Sequence, residues 1–140
     1  MRSSSRDETA AARRFADTYA AGQADAALLV EREVIGASVG ANGYTTVDQA
    51  DLLAERLDLR PGMRLLDIGA GRGWPGLHLA KRSGCKVVLS DLPLTALRDA
   101  AARARRDRLQ RRSACIAASA NALPFKPGAF DAAVHTDVLC

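Results

Sequence analysis

Leu65-Leu66-Asp67-Ile68-Gly69-Ala70-Gly71-Arg72-Gly73-Trp74-Pro75-Gly76 is the most informative run in this chain. With Arg64 in front, its first residues make a short apolar strand that runs straight into alternate glycines. Gly69, Gly71 and Gly73 lack a Cβ, so the backbone there can turn sharply and approach a ligand closely. A helix is predicted from 74 to about 82, with Pro75 near its start, where a missing amide costs nothing. The run reads as strand, tight turn, helix.

The pattern continues downstream. Lys86-Val87-Val88-Leu89-Ser90 is a second apolar strand ending at Asp91, and Leu94, Leu97, Ala101 and Ala104 form the inward stripe of a helix after it. Ala114-Cys115-Ile116-Ala117-Ala118 is a third strand. Pro124 and Pro127-Gly128 punctuate a connection to a fourth, residues 130–135. Strands alternating with helices imply right-handed crossovers and a parallel sheet covered on both faces, and near-continuous apolar strands agree. Upstream, residues 1–8 read as a disordered leader and 9–60 as a helical cap. That cap has a weakly amphipathic helix over 9–21 and a second helix from Asp25, as its cap, to about Ile35, followed by a glycine-broken loop over 37–44. Thr46-Val47-Asp48-Gln49 fits a capping box. The helix it starts carries Val47, Ala50, Leu53 and Leu57 on one face and stops at Arg60-Pro61-Gly62.

Composition bounds the function. The chain has 140 residues, 48% apolar and 26% charged, which fits one globular domain and not a disordered chain. No apolar run approaches the ~20 residues of a membrane span. The start, MRSSSRDE, has no apolar core for a secretory signal, so a cytoplasmic protein is expected. Cys85, Cys115 and Cys140 are isolated and His78 and His135 stand alone, so no metal site is expected and the thiols read as free, with Cys115 in a strand core. Between Arg98 and Arg112 lie seven arginines against two aspartates. Such a run can mark a nucleic-acid surface, but no aromatic residues interleave it. It reads as a solvated helix face, with no nucleic-acid partner.

Two ligand classes compete for the glycine loop. Gly71-Arg72-Gly73-Trp74-Pro75-Gly76 matches G-x-G-x-x-G formally, and Asp91 sits about 20 residues on, where a ribose-binding acid belongs. That suits an NAD-binding Rossmann domain. Against it, Pro75 removes an amide from the helix start that would face a diphosphate, and Asp67 sets a carboxylate at the loop mouth. S-adenosyl-L-methionine (SAM) has no phosphates and a cationic methionine end. Asp91 would take its ribose and Asp67 would favour its charge. A turn with no ligand is the bland alternative, and it leaves each glycine's cost of roughly 0.5–1 kcal/mol uncompensated.

The run LLDIGAGRGWPGLHLA resembles the first motif of class I SAM-dependent methyltransferases. ALPFKPGAFDAAVHTDVL resembles the L-P-F…F-D-x-V segment of the ubiquinone/menaquinone-type small-molecule branch. Similarity covers about residues 43–139. The resemblance implies a Rossmann-like three-layer α/β/α fold, mainly parallel and incomplete: about four of seven strands, with 61–140 as the SAM-binding half. Asp67, Gly69, Gly71 and Gly73 would contact the methionine part, Asp91 the ribose, and Leu92 the adenine face. Ser119 stands where the family often has an acid for the adenine amino group, just before Ala120. Tyr44 and Thr45, in the loop from Asn42, would touch the SAM carboxylate. His135 and Thr136 would line the methionine and acceptor side. His135 is the weak candidate for a proton acceptor, although a lone histidine at a strand end more often serves as a hydrogen-bonded wall. Trp74 and His78 read as structural. The Asn/Asp-Pro-Pro-aromatic run of amino-methylating nucleic-acid enzymes is absent from His135-Thr136-Asp137-Val138. The expectation is therefore methyl transfer to a small-molecule acceptor by a C-terminally truncated, weakly active chain. The rival expectation is a non-catalytic remnant or a module that self-associates or meets a partner through an exposed fourth strand.

Overall fold

The computed structural model describes residues 6–41 and 43–137. Nine elements follow in order: α1 (Arg6–Ala21), α2 (Asp25–Ile35), α3 (Val47–Arg56), β1 (Arg64–Ile68), α4 (Gly76–Ser83), β2 (Lys86–Asp91), α5 (Leu94–Arg106), β3 (Ser113–Ala117) and β4 (Ala132–His135). The four strands form one parallel sheet in the order β3-β2-β1-β4. Leu65 pairs with Val87 on one side and Ala132 on the other, and Asp67 with Leu89 and Val134.

The core lies on one face of the sheet. Leu65, Val87, Leu89 and Val134 alternate onto that face and pack with Leu77, Leu79 and Ala80 of α4 and Leu97, Ala100 and Ala104 of α5. Among the described residues α4 and α5 both cover this face. On the opposite face Leu66 and Ser90 are buried, Ile68, Val88 and Ile116 are half-buried, and Ala114, Ala133 and His135 are exposed. Connectivity explains this. From β1 to β2 to β3 the chain advances in one direction, so right-handed crossovers place α4 and α5 on the same side. The return to β4 across 118–131 contains no helix.

Local chemistry explains most boundaries. Thr46 and Gln49 form the expected capping box, with the Gln49 amide donating to Thr46 Oγ1 at 3.1 Å and Thr46 N–H to Gln49 Oε1 at 2.9 Å. α3 nevertheless ends at Arg56, before the expected Arg60-Pro61-Gly62. Asp58 takes a left-handed conformation (φ 48°), and the Leu59 amide returns to the Ala54 carbonyl, closing the last turn. α1 begins at Arg6, inside the segment read as a leader, because Asp7 and Glu8 favour the positive end of the helix dipole. Residues 1–5 lie outside the described residues. Ala24 and not Asp25 is the N-cap of α2. α4 starts two residues late, at Gly76, with Pro75 as its N-cap.

The inward stripe of α5 is Ala96, Leu97, Ala100 and Ala104, whereas Leu94 is exposed. Alanines there let α5 lie close to the sheet and the glycine loop. The arginines of this region are not uniformly solvated: Arg103 donates to the Arg72 carbonyl and Arg112 to that of Ala80. Cys115 is exposed on edge strand β3, not in a core, while Cys85 is buried. Cys140 lies outside the described residues. No described helix is long and apolar enough to cross a membrane.

Candidate functional site

β1 is the strand at which the connections reverse, since the chain leaves it toward β2 and comes back on its other side at β4. In open parallel sheets the crevice at the carboxyl ends of the strands beside that point is the ligand site. Three carboxylates stand at those ends: Asp67 in β1, Asp91 closing β2 and Asp137 just past β4.

Asp91 organises the loop. Its Oδ2 accepts the Gly71 amide at 2.6 Å and the Tyr19 hydroxyl at 3.4 Å, and its Oδ1 accepts the Leu92 amide at 2.7 Å. The Gly69 and Ala70 amides both donate to the Ser90 carbonyl, at 2.8 and 3.0 Å, so the loop is sewn to the end of β2. Gly71 (φ 52°) and Gly73 (φ 90°) adopt conformations that L side chains rarely take. A Cβ on Gly73 would come within 2.6 Å of Leu77, and one on Gly71 within 2.6 Å of the Tyr19 hydroxyl. Burial raises the Asp91 carboxyl above its ordinary range, against the three hydrogen bonds that lower it. Burial and the Asp91 charge push the Tyr19 phenol up, so it remains a donor.

Asp67 is not at the loop mouth. It is 1% exposed and turned under the loop, where Oδ2 accepts the Gly76 amide at the start of α4 at 2.9 Å. Its Oδ1 has no hydrogen-bond partner among the described residues. Burial raises its carboxyl well above the usual range, the Gly76 bond opposes this, and the Asp91 charge adds to it. Both raised carboxyls hold protons more tightly in the folded than in the unfolded chain. Stability is therefore expected to fall as pH rises from about 4 through the raised folded values. Urea unfolding should give a higher midpoint at pH 5 than at pH 7. The Asp67→Asn variant should show a flatter dependence, and equal slopes in the two proteins would contradict the assignment.

Asp137 is a site residue that the sequence reading did not single out. Its Oδ2 accepts the Tyr44 amide (3.1 Å), the Thr45 amide (3.3 Å) and the Thr45 hydroxyl (3.0 Å). It thereby clamps the segment before α3 onto the end of β4. The Thr45 carbonyl accepts the Trp74 indole N–H at 2.9 Å, which fixes the buried Trp74 as a packing residue. His78 is structural as expected, 2.7 Å from Asp51 Oδ1.

The remaining cavity beside Asp91 is about 150 Å³, lined by Phe15, Tyr19, Gly69, Leu92, Ala118, Ala120 and Asp137. The structure thus gathers Gly69, Asp91, Leu92 and Ala120 into one cleft, with Gly71 at its rim through Asp91. Several other expected residues do not line it. The Ser119 hydroxyl is turned back to accept the Asn121 amide at 3.3 Å. Tyr44 is 80% exposed and only its amide reaches Asp137. Thr45 spends its hydroxyl on Asp137, and His135 is exposed on the sheet face away from α4 and α5. Asn42 is outside the described residues. Phe15 and Tyr19 were also missed. Their one signal is that two of six aromatic residues in the chain lie one turn apart on the first helix.

The cleft chemistry is specific. A carboxylate suits vicinal hydroxyls, and the small apolar wall of Leu92, Ala118 and Ala120 suits a flat ring. The loop's one cation, Arg72, faces away, paired with Asp99 at 3.2 Å. An acid-only rim repels a diphosphate and favours a cationic ligand.

A glycine loop held by a strand-end acid at the reversal of a parallel sheet defines a Rossmann-like nucleoside-binding domain. The chain belongs to the methyltransferase family whose profile, described as "Methyltransferase domain", matches residues 65–140. It is 32% identical over 88 residues to 24-methylenesterol C-methyltransferase 2 of Oryza sativa subsp. japonica, covering 63% of this chain and 24% of that protein. Among solved structures it resembles the [4+2]-cyclase SpnF (36% identity, TM-score 0.58, 61% of this chain and 32% of the other). It also resembles geranyl diphosphate methyltransferase in complex with SAM (25% identity, TM-score 0.63, 79% and 41%). The chain spans 22% to 28% of the length of five curated relatives.

Proposed function

We propose that this chain supplies the SAM-binding part of a methyltransferase acting on a small molecule. The observation that carries this is the acid-only cleft, in which Asp91 is locked to Gly71 while Arg72 points away to Asp99. The residues fit the cofactor. Asp91 would hold the ribose hydroxyls, and Leu92, Ala118 and Ala120 would flank the adenine. The Asp137 carboxylate would bias the loop end toward positive charge. SAM supplies an electrophilic methyl group on a sulfonium. The chain's part is to orient it and exclude water. Proximity can supply most of such a rate, so no general base is required and His135 is not assigned one. The named relatives act on sterol-type and prenyl substrates by their names, which supports a small-molecule acceptor. Free Cys85 and Cys115 suit a reducing, cytoplasmic compartment.

Calorimetry separates the ligands. S-adenosylhomocysteine (SAH) is expected to bind and NAD to give no heat at the same concentration. NAD binding without SAH binding would overturn the proposal. The 36% identity to a cyclase favours one second reading, a SAM-type site that serves a different reaction. Label transfer from methyl-labelled SAM to an acceptor distinguishes the two.

A further inference from the structure

Helix α1 places Phe15 and Tyr19, one turn apart, into the cleft just described. The Tyr19 hydroxyl donates to Asp91 Oδ2, the atom that also takes the Gly71 amide, and the Tyr19 ring lies on Gly71. Phe15, half exposed, lines the same cleft as Leu92, Ala118 and Ala120. A hydroxyl on the strand-end acid and a flat ring near the apolar wall reproduce the two parts of a nucleoside. We propose that α1 is an intramolecular plug, with Tyr19 and Phe15 holding the nucleoside subsite until the ligand displaces them. This rests on the reading of the cleft as a SAM site.

Two further observations point the same way. With α1 seated, the cavity is about 150 Å³. Small-molecule sites run from roughly 300 to 1,000 Å³, so a nucleoside ligand needs α1 to move. And α1 is held lightly: none of its residues is fully buried, and Tyr19 is only half-buried. It joins α2 through a short turn at Gly22, where the Gly22 amide returns to Thr18 and the Gln23 side chain reaches Asp99 at 3.1 Å. A helix with no fully buried residue lifts at low cost, whereas the core strands cannot. A plug lowers apparent affinity by the fraction of molecules left open.

The test uses the full chain with SAH as probe. Tyr19→Phe removes the hydroxyl and keeps the ring, and SAH should bind about threefold tighter. Tyr19→Ala also uncovers Gly71 and should gain about tenfold. Thermal melts should be unchanged, since Tyr19 is not in the core. In hydrogen exchange, SAH should speed exchange of amides 15–21. Weaker SAH binding by either variant, or slower exchange of α1 on adding SAH, would make α1 a closing cover and overturn the plug. A ligand-free comparison stands apart from the SAM reading: Tyr19→Phe alone should speed exchange of α1. If no protein binds SAH, the SAM reading fails while this comparison still decides the plug. Unchanged ligand-free exchange overturns the plug even if SAH binds.

Discussion

Asp91→Ala is expected to weaken SAH binding by a hundredfold or more. A hydrogen bond to a charged group contributes about 1.5–3 kcal/mol, and a strand-end carboxylate offers its two oxygens to a ribose. Losing two such bonds corresponds to roughly 10²–10⁴ in affinity. The Gly71 and Leu92 amides lose their acceptor as well, so the loop loosens where the ligand must lie. Asp91→Asn keeps one acceptor oxygen and should cost about tenfold. Calorimetry with SAH, beside a melting curve showing each variant folded, reads both. An Asp91→Ala protein that binds within about threefold of the parent would show that the cleft is not the nucleoside site.

Gly73→Ala should be the most damaging single substitution for stability. Gly73 has φ 90°, and its added Cβ would lie 2.6 Å from Leu77 Cδ1 and 3.3 Å from Ala100 Cβ. The left-handed strain costs about 1–2 kcal/mol and overpacking a tight core about 1–3 kcal/mol. The sum is a large share of the ~5–15 kcal/mol that holds a domain together. A fall in Tm of about 10 °C is expected for a chain of this size. Gly62, where an added Cβ meets nothing within 4 Å although φ is 93°, is the matched control. It carries the backbone strain without the clash and should cost less than half as much. Equal losses at Gly62 and Gly73 would show that packing of α4 against α5 is not what the glycine protects.

The glycine loop, β1 and the α3 capping box were legible because each is written in adjacent residues. Near-continuous apolar runs mark β1 and β2, and the Thr46–Gln49 pair satisfies its own amides whatever surrounds it. Asp91 was legible for a related reason: a strand end before a helix has few places to point. The register of α5 was not. Its alanines are too alike for hydropathy to choose Ala96 over Leu94 or Ala100 over Ala101 beside the shared Leu97 and Ala104. Only the close approach of Gly73 to Ala100 selects the stripe through Ala96 and Ala100.

Asp67 shows the same division within one side chain. Its position on β1 follows from the strand pattern, but period two leaves open whether a carboxylate at that point meets ligand or helix. Pairing with Leu89 and Val134 put it on the covered face, and the first amide of α4 then captured it. Asp137, Phe15 and Tyr19 act across separations of 72 residues or more, as in Tyr19–Asp91 and Thr45–Asp137. No local pattern encodes such contacts. Adjacent residues thus settled the strand–loop–helix unit and its acid, since those rest on backbone geometry and short-range hydrogen bonds. Which carboxylate faces the cleft, what lies over it and which sheet face α4 and α5 cover were decided in three dimensions, because burial and long-range contacts depend on where the strands pair.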